Sequence, residues 1–222
     1  VNNEDAEFAA NQAGGRIENF NNEEILLTIG EFKSRYLAQQ SKSIFGKIIK
    51  INKFDKSYNI ISMGHRNPQG LLFDKKSNII MSTEHGPRGG DEINIIKRKE
   101  NLISNYGWPI ASYGEHYTGK ADLKKYKKYP LKKSHKENGF IEPLKYFVPS
   151  IAISEIEKIG DRTYVLTSLK AETIYFFKLD KNYKIIEFTP IVVGERIRDI
   201  FYKDKTLYLF LESTSSLGVI KI

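Results

Sequence analysis

The chain is built from short runs of Ile, Leu, Val, Tyr and Phe, each closed by a turn of Asn, Asp, Gly or Lys. Branched and aromatic side chains fit a pleated, half-buried surface, and polar clusters fit the turns between such surfaces. The pattern predicts strands over Glu24–Ile29, Gly46–Ile51, Asn78–Ser82, Glu92–Ile96, Arg162–Leu166, Thr173–Leu179, Lys184–Thr189, Arg196–Tyr202, Thr206–Leu211 and Gly218–Ile222. No segment sustains a helical period over three turns, so the chain is expected to be all-β. Short strands in evenly spaced meanders fit a sandwich, a barrel or a propeller.

A soft repeat narrows that choice. Asp74–Thr83, Gly160–Thr167 and Lys203–Phe210 each place a polar turn ahead of a buried strand, and each is followed by a strand running into Ile-Ile-Lys, Phe-Lys-Leu or Ile-Lys-Ile. Propeller blades give this pattern at about 40 to 50 residues per blade, so the chain is long enough for about four to five blades. The whole of residues 1–222 reads as one propeller domain, with its N-terminal side incomplete as one source of the shortfall.

Composition changes the picture little. With 40% hydrophobic and 12% aromatic residues in 222, one sizeable core is within reach. No apolar run approaches the roughly 20 residues that span a bilayer. The absence of cysteine excludes disulfides, thiolate metal sites and a cysteine nucleophile. The net charge of +8 is concentrated between Lys120 and Lys136, which hold eight Lys and one Asp. Pro130 and the missing apolar face argue against a long helix there. Residues 120–136 are expected to form a solvated basic surface loop; the competing possibility is that Tyr126 and Tyr129 stack on bases while the lysines meet phosphates.

Candidate chemistry lies in three glycine-rich segments: Gly-His-Arg-Asn-Pro-Gln-Gly (Gly64–Gly70), Glu-His-Gly-Pro-Arg-Gly-Gly-Asp-Glu-Ile-Asn (Glu84–Asn94) and Asn-Tyr-Gly-Trp-Pro (Asn105–Pro109). The guanidinium fork of Arg66 and the amides of Asn67 and Gln69 suit a planar, oxygen-rich anion, although an ordinary solvated turn has the same composition. A Gly86–Pro87 turn beside Glu84, Asp91 and Glu92 offers carbonyl and carboxylate oxygens of the kind calcium takes. Trp108 reads as a core anchor.

Together these segments resemble the soluble quinoprotein glucose and sorbosone dehydrogenase family, six-bladed propellers that use pyrroloquinoline quinone (PQQ). The resemblance runs from about Ala13 to Ile222 and includes Ser168-Leu169-Lys170 and Arg196-Ile197-Arg198-Asp199. It implies that Arg66, Asn67, Gln69, Lys170, Arg196 and Arg198 bind PQQ and that the carbonyls of Gly86 and Pro87 hold Ca2+. PQQ is a tricarboxylate, and a ring of cations is its charge complement. The implied activity is oxidation of an aldose to its lactone with an external electron acceptor, in the periplasm or outside the cell. Nucleic acid is not an expected partner on this view.

The resemblance weakens where protons move. By the resemblance, Gln12 in Gln12-Ala13-Gly14-Gly15-Arg16, or Asn11 if the register slips by one, occupies the place of the family's catalytic histidine, and Glu31 that of the aspartate assisting it. The family's Pro-Ser-Ile-Ala-Pro-Ser-Gly becomes Pro149-Ser150-Ile151-Ala152-Ile153-Ser154-Glu155. An amide takes no proton near neutral pH, and general base catalysis contributes typically about 10²–10⁴-fold. His85 or Glu31 is then the replacement base, or the propeller is a catalytically silent binder. His116 and His135, in polar stretches, are expected to be dispensable.

Overall fold

The computed structural model describes residues 9–97, 102–118 and 123–222. Among them sixteen strands form four sheets. Blade 1 is the antiparallel meander β1 (Gly14–Asn19), β2 (Glu24–Ile29), β3 (Lys47–Asn52) and β4 (Tyr58–Met63), with the two-residue β8 (Ser104–Asn105) added in parallel to β4. Blade 2 is β5 (Pro68–Asp74), β6 (Ile79–Glu84), β7 (Asp91–Lys97) and, after the blade 1 excursion, β9 (Lys145–Phe147). Blade 3 is β10 (Ile153–Gly160), β11 (Thr163–Ser168), β12 (Thr173–Leu179) and β13 (Ile185–Val192). Blade 4 has three strands, β14 (Ile197–Lys203), β15 (Thr206–Leu211) and β16 (Ser216–Lys221). The first strands β1, β5, β10 and β14 pack on one another in succession, so the meanders are arranged as consecutive propeller blades. The three repeated segments are the hairpins β5–β6, β10–β11 and β14–β15, the same step of blades 2, 3 and 4.

The side-chain period of two explains how the blades stack. Along β6, Ile79 and Met81 join Ile153, Tyr164, Leu166 and Phe177 in the core between blades 2 and 3, while Ile80 turns the other way to Leu26, Ile48 and Tyr106 of the blade 1 side. The uninterrupted Ile-Ile-Met run is what a strand covered on both faces requires. On β11 and β12 the faces separate in the same manner: Val165 and Ile174 meet Ile197, Ile200, Leu207 and Leu209 of blade 4. Asp74 fastens blade 2 to blade 3, accepting from Lys158 Nζ at 2.6 Å and from the Tyr164 hydroxyl at 2.7 Å.

Blade 4 is apolar on its other face as well. The register sets Phe201 opposite Tyr208, Tyr208 opposite Val219 and Phe210 opposite Leu217, and Phe201, Phe210, Leu217 and Val219 are each about half exposed. One arginine links all four blades: from β1, Arg16 reaches the Gln69 carbonyl of β5 (2.7 Å), Glu155 Oε2 of β10 (2.6 Å) and Asp199 Oδ2 of β14 (2.8 Å).

The basic segment is more folded than a loop pattern suggests. Residues 120–122 lie outside the described residues; beyond them Leu123–Lys128 form a short helix, α1. Lys124, Lys127, Lys128, Lys132, Lys133 and Lys136 are exposed, yet Tyr129, Leu131 and His135 are buried. Tyr126 sets its ring against His116 at 4.4 Å. The aromatic residues of this segment thus pack inward and are not presented for base stacking.

Candidate active site

The residues singled out by sequence gather at one end of the blades, because each blade contributes from the same two places. The segments entering the first strands carry Gln12 (before β1), Arg66 and Asn67 (before β5) and Arg196 (before β14). The turns leaving the second strands carry Glu31 (after β2), His85 to Pro87 (after β6), Lys170 (after β11) and Glu212 (after β15). In an antiparallel meander the start of one strand and the end of the next are neighbours, so residues far apart in sequence meet.

Gln12, Glu31 and Arg66 form one group. The Gln12 backbone is held to the turn after β2, where Phe32 N–H donates to its carbonyl at 3.2 Å and Gly30 N–H donates to the Ala13 carbonyl at 2.8 Å. A side chain at residue 30 would strike that Gln12 carbonyl, which is why glycine stands there. With its amide turned so that both ends are satisfied, the Gln12 nitrogen donates to Glu31 Oε1 and its oxygen accepts from Arg66 Nη2 at 2.8 Å. Glu31 is fully buried. Arg66 Nη1 donates to the carbonyls of His85 (3.0 Å) and Gly86 (2.6 Å), and its guanidinium lies 5.4 Å from the Trp108 ring. Burial pulls the Arg66 pKa down, against the opposing fields of Tyr117 and Glu31.

A small pocket opens beside this group, lined by Arg66, His85, Gly86, Trp108 and His135 among others. Its wall carries buried polar atoms without a protein partner: His85 Nε2, Trp108 Nε1 and His135 Nδ1. Beneath them Asn94 Nδ2 bridges Glu84 Oε1 (3.0 Å) and Glu92 Oε2 (3.3 Å). Burial, with Glu84 alongside, holds the Glu92 carboxyl well above its ordinary pKa. His135 Nε2 stands 3.4 Å from Glu92 Oε1, and burial lowers the His135 pKa. His116 is equally enclosed, bonded at Nε2 to the Tyr129 carbonyl (2.8 Å) and at Nδ1 to Arg35 (3.1 Å). The premise of the expectation that both histidines are dispensable, a polar and solvated setting, is therefore corrected. Their flanking residues are polar, but the rings themselves are interior and polar-bonded.

The remaining predicted ligands form a second line. Asn67 Oδ1 accepts from Gly14 N–H (3.2 Å) and Gln69 Nε2 (3.0 Å), and Gln69 Oε1 accepts from Arg198 Nη1 (3.4 Å). Arg198 Nη2 and Arg196 Nη2 both reach Glu212 Oε2, at 3.0 and 3.2 Å. Lys170 stands apart from this line with an exposed side chain, its backbone N–H donating to the Ile151 carbonyl. The sequence pattern missed two organisers. Asp91 receives Gly86 N–H on Oδ1 (3.0 Å) and the Ser150 hydroxyl on Oδ2 (2.6 Å), fixing the Gly86–Pro87 turn to blade 3. Glu212, in an exposed turn, carries no motif of its own.

The donor set has the chemistry an anion such as PQQ would need: the amides of Asn67 and Gln69, the guanidinium groups of Arg66, Arg196 and Arg198, and the buried nitrogens of His85, Trp108 and His135. Calcium fits less well, since the Gly86 carbonyl is engaged by the Arg66 cation. Among the described residues no cluster of three or more His, Asp or Glu forms a metal site, and no helix is long and apolar enough to cross a membrane.

Comparison with known proteins agrees with this architecture. Residues 2–219 match the Glucose / Sorbosone dehydrogenase family. Aldose sugar dehydrogenase YliI of Escherichia coli is 30% identical over 92% of this chain and 58% of its own length. Quinoprotein glucose dehydrogenase B of Acinetobacter calcoaceticus is 40% identical over a shorter stretch, 31% of this chain and 16% of its own. A crystal structure of glucose dehydrogenase superposes with a TM-score of 0.76 at 28% identity, over 93% of this chain and 62% of that one. The chain spans 50% and 58% of the two curated relatives that match most of it. With four consecutive blades of the same propeller and a family match over nearly its whole length, the chain belongs to the glucose and sorbosone dehydrogenase family.

Proposed function

We propose that the protein carrying this chain is a PQQ-dependent oxidoreductase that converts aldose sugars to lactones in the periplasm or outside the cell. The observation that carries this proposal is the line Asn67, Gln69, Arg198 and Arg196, brought together at one end of blades 2 and 4, with Arg66 next to Asn67 in the segment entering blade 2. PQQ, if bound, would supply an orthoquinone able to accept hydride from the sugar C1, leaving the C1 hydroxyl proton to the protein and the two electrons to an external acceptor. The arginines and amides pair with carboxylates and fix their orientation, Arg66 through a guanidinium already held by two carbonyls and Gln12. Trp108 closes one wall of the pocket against water. The amide of Gln12 accepts no proton, so Glu31 and His85 are the groups left to receive it. A calcium ion at the Gly86 and Pro87 carbonyls would have to share the Gly86 oxygen with the Arg66 guanidinium, and no step here depends on it.

The alternative is a catalytically silent propeller that binds the same anion. The Gln12 amide, occupied by Glu31 on one side and Arg66 on the other, favours it. Titration with PQQ in calcium and then in chelator, followed by thermal unfolding and by dye reduction with a panel of aldoses, separates the two. Stabilisation with dye reduction supports the dehydrogenase. Stabilisation alone selects the silent binder, and no stabilisation overturns both.

A further inference from the structure

The two arginines at the start of blade 4 share one carboxylate. Glu212 Oε2 receives Arg196 Nη2 at 3.2 Å and Arg198 Nη2 at 3.0 Å, and Glu212 Oε1 receives Arg198 Nη2 at 3.1 Å. Its place in the fold is telling. Glu212 follows the second strand of blade 4, as Glu31 follows that of blade 1, His85 to Pro87 that of blade 2 and Lys170 that of blade 3. It thus occupies the blade 4 place equivalent to those of Glu31 and His85 to Pro87, which form the candidate site on blades 1 and 2. Its backbone is fixed, with N–H donating to the Arg196 carbonyl at 2.8 Å, but its side chain is about 40% exposed and sits at the head of an exposed turn.

We propose that Glu212 is a built-in competitor for the anion received by Arg196 and Arg198, holding both guanidinium forks in register until a ligand carboxylate displaces it. The proposal rests on the assignment of the arginine pair to anion binding. A carboxylate already seated on two guanidinium groups has the shape and charge of the group the pair would bind, so the two cannot occupy it together. Half-exposed ion pairs contribute little, so displacement is cheap. The remaining negative charge still repels an incoming anion from a few ångströms away, and that repulsion is screened by salt. Glu212 therefore lowers affinity for every carboxylate and favours ligands with several, whose other groups reach Gln69 and Asn67.

The test is calorimetric titration of the protein and of its Glu212→Gln and Arg198→Gln variants with two probes, PQQ and benzene-1,3,5-tricarboxylate, at low and high salt. Glu212→Gln is expected to bind both probes about 3- to 10-fold more tightly at low salt, with the gain shrinking at high salt. Arg198→Gln is expected to weaken both, with unfolding temperatures confirming that each variant folds. Equal or weaker binding by Glu212→Gln overturns the proposal while wild-type binding of PQQ leaves the cofactor assignment standing. Tighter tricarboxylate binding with no PQQ binding has the opposite meaning: Glu212 acts as proposed and the cofactor assignment fails. Binding of neither probe by any of the three proteins overturns both.

Discussion

The Gln12 side-chain oxygen lies 2.8 Å from Arg66 Nη2, so the residue proposed to stand at the place of the family's base instead grips an arginine of the candidate site. Replacing Gln12 by Ala removes that grip and the donor to Glu31. PQQ affinity is expected to fall about 5- to 10-fold, the loss of one charge-assisted hydrogen bond, as measured by calorimetry.

Gln12→His is the complementary change. An imidazole at this position restores a group able to accept a proton, and dye reduction with aldoses is expected to rise by about 10²-fold, the lower end of general base catalysis. Unchanged turnover in a variant that binds PQQ normally would assign the proton to Glu31 or His85. Glu31→Gln and His85→Gln in the wild-type background then tell those two apart.

Asp74 predicts an acid limit to stability. Burial alone would raise its pKa, but Lys158, Tyr164 and Ser77 outweigh it and bring the group down to about 2. A carboxylate depressed in the folded state stabilises at pH above its unfolded value near 4, and that contribution is lost as pH falls toward 2. Asp74→Asn is expected to cost about 2 kcal/mol at pH 7 and almost nothing at pH 2. Urea unfolding at the two pH values reads the difference.

The blade faces differ in what a truncation costs. Ile80, enclosed between blades 1 and 2, is expected to lose about 2–5 kcal/mol on replacement by Ala. Phe210, half exposed on the outer face of blade 4, should lose about 1 kcal/mol or less. A large loss at Phe210 in dilute solution would show that this face is covered.

His135→Ala removes a ring packed against Glu92 and Tyr113 and is expected to destabilise by about 1–3 kcal/mol. A thermal melt indistinguishable from wild type would restore the view that this histidine is dispensable.

Hydrophobic pattern made the second and third strands of the blades legible: β2, β12 and β15 fall on the predicted residues, and β3, β6, β7, β11 and β16 within one or two positions, as does β14, the first strand of blade 4. The strands missed include three of the four that begin a blade: β1, with Gly14, Gly15 and Arg16; β5, with Pro68, Gln69 and Gly70; and β10, with Ser154, Glu155, Glu157 and Lys158. These strands meet near the middle of the ring, where chains crowd together and polar groups such as Arg16, Glu155 and Asp199 pair. Their residues are small or charged for that reason, and a test for apolar alternation passes over them. Gln12, Glu31, Arg66 and His85 of the candidate site stand beside glycines in the sequence, which the close approaches at Gly30 and Gly86 require. Asp91 was legible only as an acidic neighbour, and Glu212, His116 and His135 gave no signal, since their roles arise from partners distant in sequence.

Arg16 gives the ring a shared pin. Sheets arranged as spokes can each tilt or slide outward on their own, but a guanidinium tied at once to Gln69, Glu155 and Asp199 makes their radial positions interdependent. The same side chain donates to the carbonyl of Arg198, the residue whose own fork faces Glu212 and Gln69. A shift of β14 at Arg198 would therefore be felt at the hub, where Gln69, Glu155 and Asp199 depend on the same guanidinium.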